Sequence, residues 1–404
     1  MGLSFTSEMR ITLPEYLSGT NRFQNINKML TYNLNWKQEA FDHLRRLLKH
    51  MRDIDASDID FGGPGSNGKI WYRVYGQKKP DDTMPQYNSD EVVAILLSAL
   101  SDEQKITLFQ NKNVDFSFSI SFDEKSIQSR FRGDIYYESN TLAVNFRRIN
   151  EKIFPIDSLG FPPPIIKRLD LQYEKAGLVL VTGITGSGKS TTLDSIVDMN
   201  NHNNHAHIVI IGDPIEYIHK SDKSVIRHRE VGQDVLGFRD GTIQALRQDP
   251  DIIVVGEMRD APTIAAVLEA TDAGHKVFTT LHTNSAVESL HRIIAEFPPN
   301  EQDRVRMRLA DIVKVIISQK LVPNREGQLT LAKEILSSNA SIQAAIRNKN
   351  INEIYQMITQ GKKDGMITME QDLANLAQKG IITTNTALNY ANSRKRVESI
   401  ISYQ

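Results

Sequence analysis

The stretch of sequence that decides the fold is Gly177-Leu178-Val179-Leu180-Val181-Thr182-Gly183-Ile184-Thr185-Gly186-Ser187-Gly188-Lys189-Ser190. A continuous apolar run comes first, a glycine-rich loop follows, and residues 191–197 can continue the loop as a helix. Positions 183–190 match the pattern G-x-x-x-x-G-K-S/T at every fixed position. A buried strand, a glycine loop and a helix in this order predict a phosphate-binding loop in an α/β fold.

The residue types of this loop suit a nucleoside triphosphate. Glycines let backbone N–H groups curl around phosphates, and the start of the helix adds unpaired N–H donors and a positive dipole end. We expect Lys189 to reach the β- and γ-phosphates of ATP and the Ser190 hydroxyl to ligate Mg²⁺. The predicted nucleotide-binding residues are Gly183, Ile184, Thr185, Gly186, Ser187, Gly188, Lys189, Ser190 and Thr191.

Acidic residues follow two other apolar runs. One run leads through Gly256 to Glu257, and the carboxyl end of a parallel strand is where α/β sheets bind ligands. We therefore expect Glu257 to orient the attacking water or to hold Mg²⁺ through a water molecule. The other run leads to Asp213 and Glu216, which can support the metal or the water. A purely turn-forming role for Asp213 is the alternative.

Two histidines flank a further apolar strand at residues 276–280. His275 comes before this strand and His282 comes after it. Both can sense the γ-phosphate or bridge subunits, although a single histidine at a strand end is more often an ordinary polar cap. A zinc site is not expected, because the sequence has neither cysteine nor an H-E-x-x-H helix.

Prolines at position 155 and at positions 162–164 mark a boundary between two patterns. Before the boundary, residues 1–35 are polar and are expected to form an irregular arm. An amphipathic helix is predicted at 36–51 and another helix at 89–100. Alternating segments predict an antiparallel sheet with one face exposed to solvent, namely 54–61, 69–75, 114–122, 129–137 and 141–148.

After the boundary, buried strands alternate with helices, which predicts a parallel sheet covered on both faces. These strands are expected at 178–182, 207–211, 252–255 and 276–280. From about residue 324 the chain is expected to be helical and polar.

Composition limits the kinds of partner. The net charge of −1 gives no overall basic field to attract nucleic acid or anionic lipid. No apolar run approaches the roughly 18 residues of a transmembrane helix, so no transmembrane segment is expected. The absence of cysteine suits a reducing compartment, and we expect a cytoplasmic protein.

Five further segments, with the phosphate loop, resemble the PilT/GspE-type secretion ATPase superfamily, known as type II/type IV secretion ATPases. The resemblance runs over roughly residues 36–396, and the family names the motifs Walker A, Asp box, Walker B and His box. The five segments are Asp213-Pro214-Ile215-Glu216, Arg229-Glu230-Val231-Gly232, Ala245-Leu246-Arg247-Gln248-Asp249-Pro250-Asp251, Gly256-Glu257-Met258-Arg259-Asp260 and Thr280-Leu281-His282-Thr283.

The resemblance implies a homohexameric ring that binds ATP and Mg²⁺. Each subunit would have a PAS-like α+β domain at 36–155 and a RecA-like domain at 160–404. It places Asp213 and Glu216 in the Asp box and His275 and His282 in the His box. The implied catalytic residues are Glu257, Lys189, Arg132, Arg147 and Glu216.

Arg132 and Arg147 lie in two segments that match the family, Arg130-Phe131-Arg132 and Phe146-Arg147. In such rings the arginines of these segments reach the phosphates. The alternative is that both are surface arginines on an exposed strand face. Implied partners are membrane-embedded secretion or pilus proteins, which would recruit the chain to the inner face of the cytoplasmic membrane. No direct contact with nucleic acid is expected.

The type of machine is a separate hypothesis. Ala345-Ile346-Arg347-Asn348 resembles the retraction-motor signature, but its continuation Lys349-Asn350-Ile351-Asn352 departs from it. Gly212 stands where the Asp box commonly has glutamate, and the 1–35 segment precedes the family's first helix. These departures favour PilT-like ATPases of the DotB/TraJ type, which power type IVB secretion or conjugation. The alternatives are a pilus-retraction motor, a nucleic-acid translocase and a non-hydrolysing scaffold.

Overall fold

A computed structural model describes residues 2–74, 76–122, 129–149 and 153–402. It divides the chain into two compact units, Met1–Glu151 and Lys152–Gln404. Buried apolar residues form one core cluster in the first unit and three in the second. Tyr75, which ends the predicted strand 69–75, lies outside the described residues.

The first unit combines helices with an antiparallel sheet. Its sheet has the order β3-β2-β1-β6-β5-β4. The helices are α1 (Thr6–Thr12), α2 (Gly19–Tyr32), α3 (Leu34–Asp53), α4 (Ser89–Ser98) and α5 (Asp102–Asn111). The strands are β1 (Asp58–Gly62), β2 (Trp71–Val74), β3 (Gln77–Pro80), β4 (Asn113–Ile120), β5 (Ser129–Glu138) and β6 (Thr141–Arg148).

The expectation of an irregular arm at residues 1–35 is wrong. Helices α1 and α2 occupy this segment, and Phe23, Ile26 and Leu30 on one face of α2 are buried in the core of the first unit. Phe5 stacks on Trp36 with ring centroids 4.6 Å apart. Helix α2 was not predicted because the segment is polar and its apolar residues are few, although their spacing places them on one side of the helix.

The second unit is a doubly covered sheet of mainly parallel strands, in the order β13-β12-β7-β11-β10-β8-β9. The strands are β7 (Gly177–Thr182), β8 (His207–Gly212), β9 (Val225–Glu230), β10 (Ile252–Val255), β11 (Lys276–Leu281), β12 (Val313–Pro323) and β13 (Leu329–Ser337). Only β13 pairs antiparallel to its neighbour among these strands as described. This is the predicted RecA-like α/β architecture.

Helices cover both faces of this sheet. They are α6 (Pro163–Leu169), α7 (Lys189–Asn203), α8 (Phe238–Ala245), α9 (Ala261–Asp272), α10 (Ala286–Ala295), α11 (Pro299–Ile312), α12 (Ala340–Arg347), α13 (Ile354–Gln360), α14 (Met369–Gln378), α15 (Thr384–Tyr390) and α16 (Arg394–Ser402). Residues of β7 alternate between two clusters, since Leu178 and Leu180 join one core and Val179 and Val181 the other. Burial on both faces explains why this strand is continuously apolar.

The sequence did not predict β9, β12 or β13. Strand β13 lies in the region expected to be purely helical, and that expectation is wrong for Leu329–Ser337. The strand carries polar residues such as Lys333 and Glu334 and is stabilised by its long antiparallel pairing with β12. The local sequence does not show which strand will pair with this segment, so β13 could not be predicted from its polar residues alone.

Parallel pairing brings four strand ends to one edge of the sheet. In the observed registers Leu281 of β11 pairs with Thr182 of β7, and Val255 of β10 pairs with Ile211 of β8. The loops that follow these strands therefore leave the sheet at the same edge, where α/β folds bind ligands.

The packing of α2 can be tested by removing one aromatic side chain. Phe23 is 2% exposed, so Phe23→Ala should lower the free energy of unfolding of the first unit by about 3–5 kcal/mol. Both tryptophans, Trp36 and Trp71, lie in this unit, so tryptophan fluorescence during urea unfolding reports its stability. Tyr32→Ala is the matched control, because Tyr32 is 88% exposed and should change stability by less than about 0.5 kcal/mol. If Phe23→Ala lowered the free energy of unfolding as little as Tyr32→Ala, the result would contradict the packing of α2 described above.

Candidate nucleotide-binding site

The loop between β7 and α7 has a backbone that requires glycine. Gly183, Gly186 and Gly188 have φ values of 150°, 80° and 86°, in a region that residues with a Cβ rarely adopt. A Cβ at Gly183 would also lie 2.6 Å from the backbone oxygen of Gln319 and closer still to the Ser187 hydroxyl. The loop therefore cannot carry side chains at these positions without moving.

Donors at the start of α7 suit a bound anion. No side chain in the described ranges caps this 15-residue helix, which begins at Lys189. The Ser187 hydroxyl is buried and has no hydrogen-bond partner within the described part of the chain. Uncapped N–H groups at a helix N-terminus bind phosphate, so the loop fits the triphosphate predicted from the sequence.

Lys189 lies folded back on the loop. Its Nζ donates hydrogen bonds to the carbonyl oxygens of Gly183 and Ile184, at 2.9 and 3.1 Å. Burial lowers the pKa of Lys189, while the negative charges of Glu257 and Glu216 act to raise it. A partly buried ammonium that donates to carbonyl oxygens and lies in the field of two carboxylates is suited to exchange these partners for phosphate oxygens.

Glu257 follows β10 and is held by two basic side chains. Its carboxylate lies 3.1 Å from Nε2 of His282 and 2.8 Å from a guanidinium nitrogen of Arg259, and its side chain is 17% exposed. Burial lowers the pKa of His282, and the positive charge of Lys189 lowers it further. A histidine with a lowered pKa is neutral at neutral pH, so it can donate one N–H to Glu257 without adding charge.

The backbone around Glu257 is fixed by neighbouring strands. The N–H of Gly256 donates to the carbonyl of Ile211 at 2.8 Å, and that of Met258 donates to the carbonyl of Thr280 at 3.1 Å. The Thr280 hydroxyl donates to the carbonyl of Gly256 at 2.6 Å. Glu257 is thus presented from a rigid edge rather than from a loose loop.

Gly212 precedes the Asp box, and the structure gives a local reason for the glycine. A Cβ there would lie 2.7 Å from Cδ1 of Ile215 and 3.1 Å from the backbone oxygen of Pro214. Asp213 and Glu216 follow in an exposed loop at the same edge as Glu257. The glycine therefore suits the close approach of its own loop.

Glu230 supports the Asp-box loop, and the sequence analysis missed this role. This buried carboxylate at the end of β9 accepts a hydrogen bond from the N–H of Ile215 at 3.0 Å. Its own N–H donates to the Asp234 carboxylate at 2.8 Å. The sequence carried little signal for this role, because residues 227–229, directly before Glu230, are two arginines and a histidine, and strand β9 had not been predicted.

The two predicted histidines lie at opposite edges of the sheet. His282 follows β11 and contacts Glu257, whereas His275 precedes β11 and its Nδ1 lies 2.8 Å from the carbonyl oxygen of Pro250. Six strand residues at ~3.3 Å each separate them by about 20 Å. Of the two roles considered for this pair, sensing the γ-phosphate does not fit His275, because the strand direction places it at the far edge; a role in bridging subunits stays a prediction.

Arg132 and Arg147 are neighbours across β5 and β6 of the first unit. Arg132 pairs with Asp115, with its Nε 3.0 Å from Oδ1. Arg147 pairs with the buried carboxylate of Asp58 at 2.9 Å. These pairs give each arginine a structural role within its own unit, and the contact with phosphate stays a prediction.

Oxygen donors that suit Mg²⁺ are present, but they are few. Ser190 opens α7 beside the loop, and Glu257 lies at the same sheet edge. No group of three or more metal-ligating side chains occurs among the residues that the structure describes. Mg²⁺ usually binds through one or two protein oxygens together with water and substrate phosphates.

The histidine assignment gives a matched test. His282→Ala should lower kcat for ATP hydrolysis about ten- to a hundredfold, because it removes one of the two groups that hold Glu257 in place. His275→Ala should leave kcat within about twofold, since this side chain lies at the opposite edge. Steady-state phosphate release measures both variants. An equal loss in the two variants would contradict the assignment of His282 to the site.

Comparison with known proteins identifies the family. The family model described as "Type II/IV secretion system protein" matches residues 42–402. The "Twitching motility protein" of Neisseria gonorrhoeae is 38% identical over 322 residues, which cover 80% of this chain and 84% of that protein.

Two solved structures share the fold. The pilus retraction motor PilT with bound ADP superimposes with a TM-score of 0.78 at 36% identity, covering 87% of this chain and 98% of that one. The Legionella pneumophila ATPase DotB gives a TM-score of 0.70 at 25% identity, covering 89% and 95%. Together with the phosphate-loop geometry, these matches confirm the predicted superfamily and fold: the chain belongs to the type II/IV secretion system protein family and is a P-loop ATPase that hydrolyses ATP.

Proposed function

We propose that this chain is a ring-forming motor that uses ATP hydrolysis to retract a type IV pilus. The observation that carries the proposal is its similarity to the retraction motor PilT, which extends over 98% of that chain at 36% identity. The twitching protein of Neisseria gonorrhoeae, at 38% identity, supports the same assignment. The type IVB machine favoured by the sequence motifs has weaker support from the comparisons.

Hydrolysis follows from the positions of the site residues. Lys189 exchanges the carbonyl oxygens of its own loop for the β- and γ-phosphates. Glu257 orients the attacking water and takes its proton, and His282 keeps that carboxylate in place. Ser190 would hold Mg²⁺ directly and Glu257 would hold it through water. The metal would neutralise charge on the phosphate oxygens.

Motion follows from a change in contacts. Groups that bind the γ-phosphate lose their partner when it leaves, so the nucleotide state selects between subunit conformations. In a ring of six copies this cycle would drive rigid-body movements that act on membrane-embedded pilus proteins. No helix in the described ranges is long and apolar enough to cross a bilayer, so we propose recruitment to the inner face of the cytoplasmic membrane through these partners.

A type IVB secretion ATPase is the second candidate. The likeness to DotB covers 95% of that chain, although at 25% identity. The residues that depart from the retraction signature follow the end of α12 at Arg347. Lys349 has a positive φ of 65°, and a short 3₁₀ turn, Ile351–Glu353, follows. The segment that differs from the signature is therefore a connection between α12 and α13 with its own conformation.

Deletion of the gene in its own host separates the two candidates. A retraction motor predicts loss of twitching and an excess of surface pili, both restored by the wild-type chain. The variant Glu257→Gln, which keeps the shape of the side chain but cannot take a proton, should fail to restore twitching. Normal twitching together with loss of protein export or conjugation would contradict the retraction proposal and favour the second candidate.

A further inference from the structure

Gln319 of β12 forms hydrogen bonds with the phosphate-binding loop and with helix α7. Its side-chain Nε2 donates to the carbonyl oxygen of Ser187 at 2.8 Å, and its Oε1 accepts from the Thr192 hydroxyl at 3.0 Å. Gln319 is 1% exposed, and both hydrogen bonds are buried. One amide therefore joins the loop to the first turns of α7.

The two hydrogen bonds fix the orientation of this amide. The Ser187 carbonyl can only accept, so the amide nitrogen must face Ser187, and the amide oxygen then accepts from the Thr192 hydroxyl. The backbone of Gln319 also lies against the loop, since a Cβ at Gly183 would be 2.6 Å from its oxygen. Ser318 precedes Gln319 in β12, so its side chain lies on the opposite face of the sheet. Its hydroxyl is 2.8 Å from the hydroxyl of Thr182 and joins β12 to β7 there.

The direction of one peptide group follows from this contact. In a trans peptide the C=O of one residue and the N–H of the next point in opposite directions. The Ser187 carbonyl points toward Gln319, so the N–H of Gly188 points away from β12. A phosphate in the loop is bound by N–H groups directed in this way.

We propose that Gln319 is a positioning residue for ATP hydrolysis: it sets the Ser187–Gly188 peptide so that the Gly188 N–H is ready to donate to a phosphate. Without it, the peptide can rotate and the N–H must be ordered when nucleotide binds, which weakens binding. The inference concerns the ATPase reaction itself and holds for either machine considered above.

The test compares ADP binding and ATP turnover in a graded series. Gln319→Met keeps the length of the side chain and removes both hydrogen bonds. It should weaken ADP binding about tenfold and lower kcat/KM by at least as much. Gln319→Glu keeps the acceptor for Thr192 and, in its ionised form, cannot donate to the Ser187 carbonyl, so it should be impaired at least as strongly. Ser318→Ala, next to Gln319 but bonded on the other face, is the control and should bind ADP like the wild type.

Thr192 provides a second pair of variants in case Gln319→Met does not fold. Thr192→Ser keeps the hydroxyl and should bind ADP normally, whereas Thr192→Val removes one of the two hydrogen bonds that hold the amide and should weaken binding about threefold. Thr192→Val also leaves the buried amide oxygen without a donor and should lower stability, so ADP binding is measured well below the unfolding temperature of each variant. A merely structural role would lower stability and leave the Kd of the folded fraction unchanged. Wild-type ADP binding and turnover in Gln319→Met, or equal binding by Thr192→Val and Thr192→Ser, would overturn the proposal.

Discussion

The site depends on the parallel pairing of β7, β11, β10 and β8. Parallel strands end at the same edge, so residues far apart in sequence leave the sheet together. The phosphate loop, the Asp-box loop, Glu257 and His282 each follow one of these strands. A shift of one residue in a single register would move its loop by ~3.3 Å and exchange the faces of its side chains. The apolar content of the four strands, buried on both faces, therefore holds the chemistry in place.

Charge balance is the second constraint on the site. Lys189 carries a positive charge in a partly buried position, where burial lowers its pKa and the fields of Glu257 and Glu216 oppose that shift. Burial and the charge of Lys189 lower the pKa of His282, which keeps this neighbour of Glu257 uncharged. Arg259 forms an ion pair with the same carboxylate. The charges of Glu257 and Lys189 therefore act on each other without a direct ion pair among the described contacts.

The sequence predicted the parts of the site that depend on contiguous residues. The glycine loop needs its residue types in a fixed local order, and Glu257 follows directly from the end of an apolar strand. Gln319 could not be predicted, because its role depends on β12 pairing with β7, and its contact with Ser187 spans 132 positions. The sequence placed His275 and His282 at the two ends of one strand, and that direction already separates His275 from the phosphate loop. The buried face of α2 was missed because three apolar residues carry it within a polar helix.

One measurement tests the central claim most directly: steady-state ATPase rate with Mg-ATP, together with solution mass, for the wild type and Glu257→Gln. The account predicts that both proteins have a solution mass close to that of six subunits. It also predicts that Glu257→Gln lowers the turnover rate about 10²- to 10⁴-fold. Glu269→Gln, an exposed glutamate on α9, should match the wild type. A Glu257→Gln variant that hydrolyses ATP at the wild-type rate in the same assembly would contradict the account.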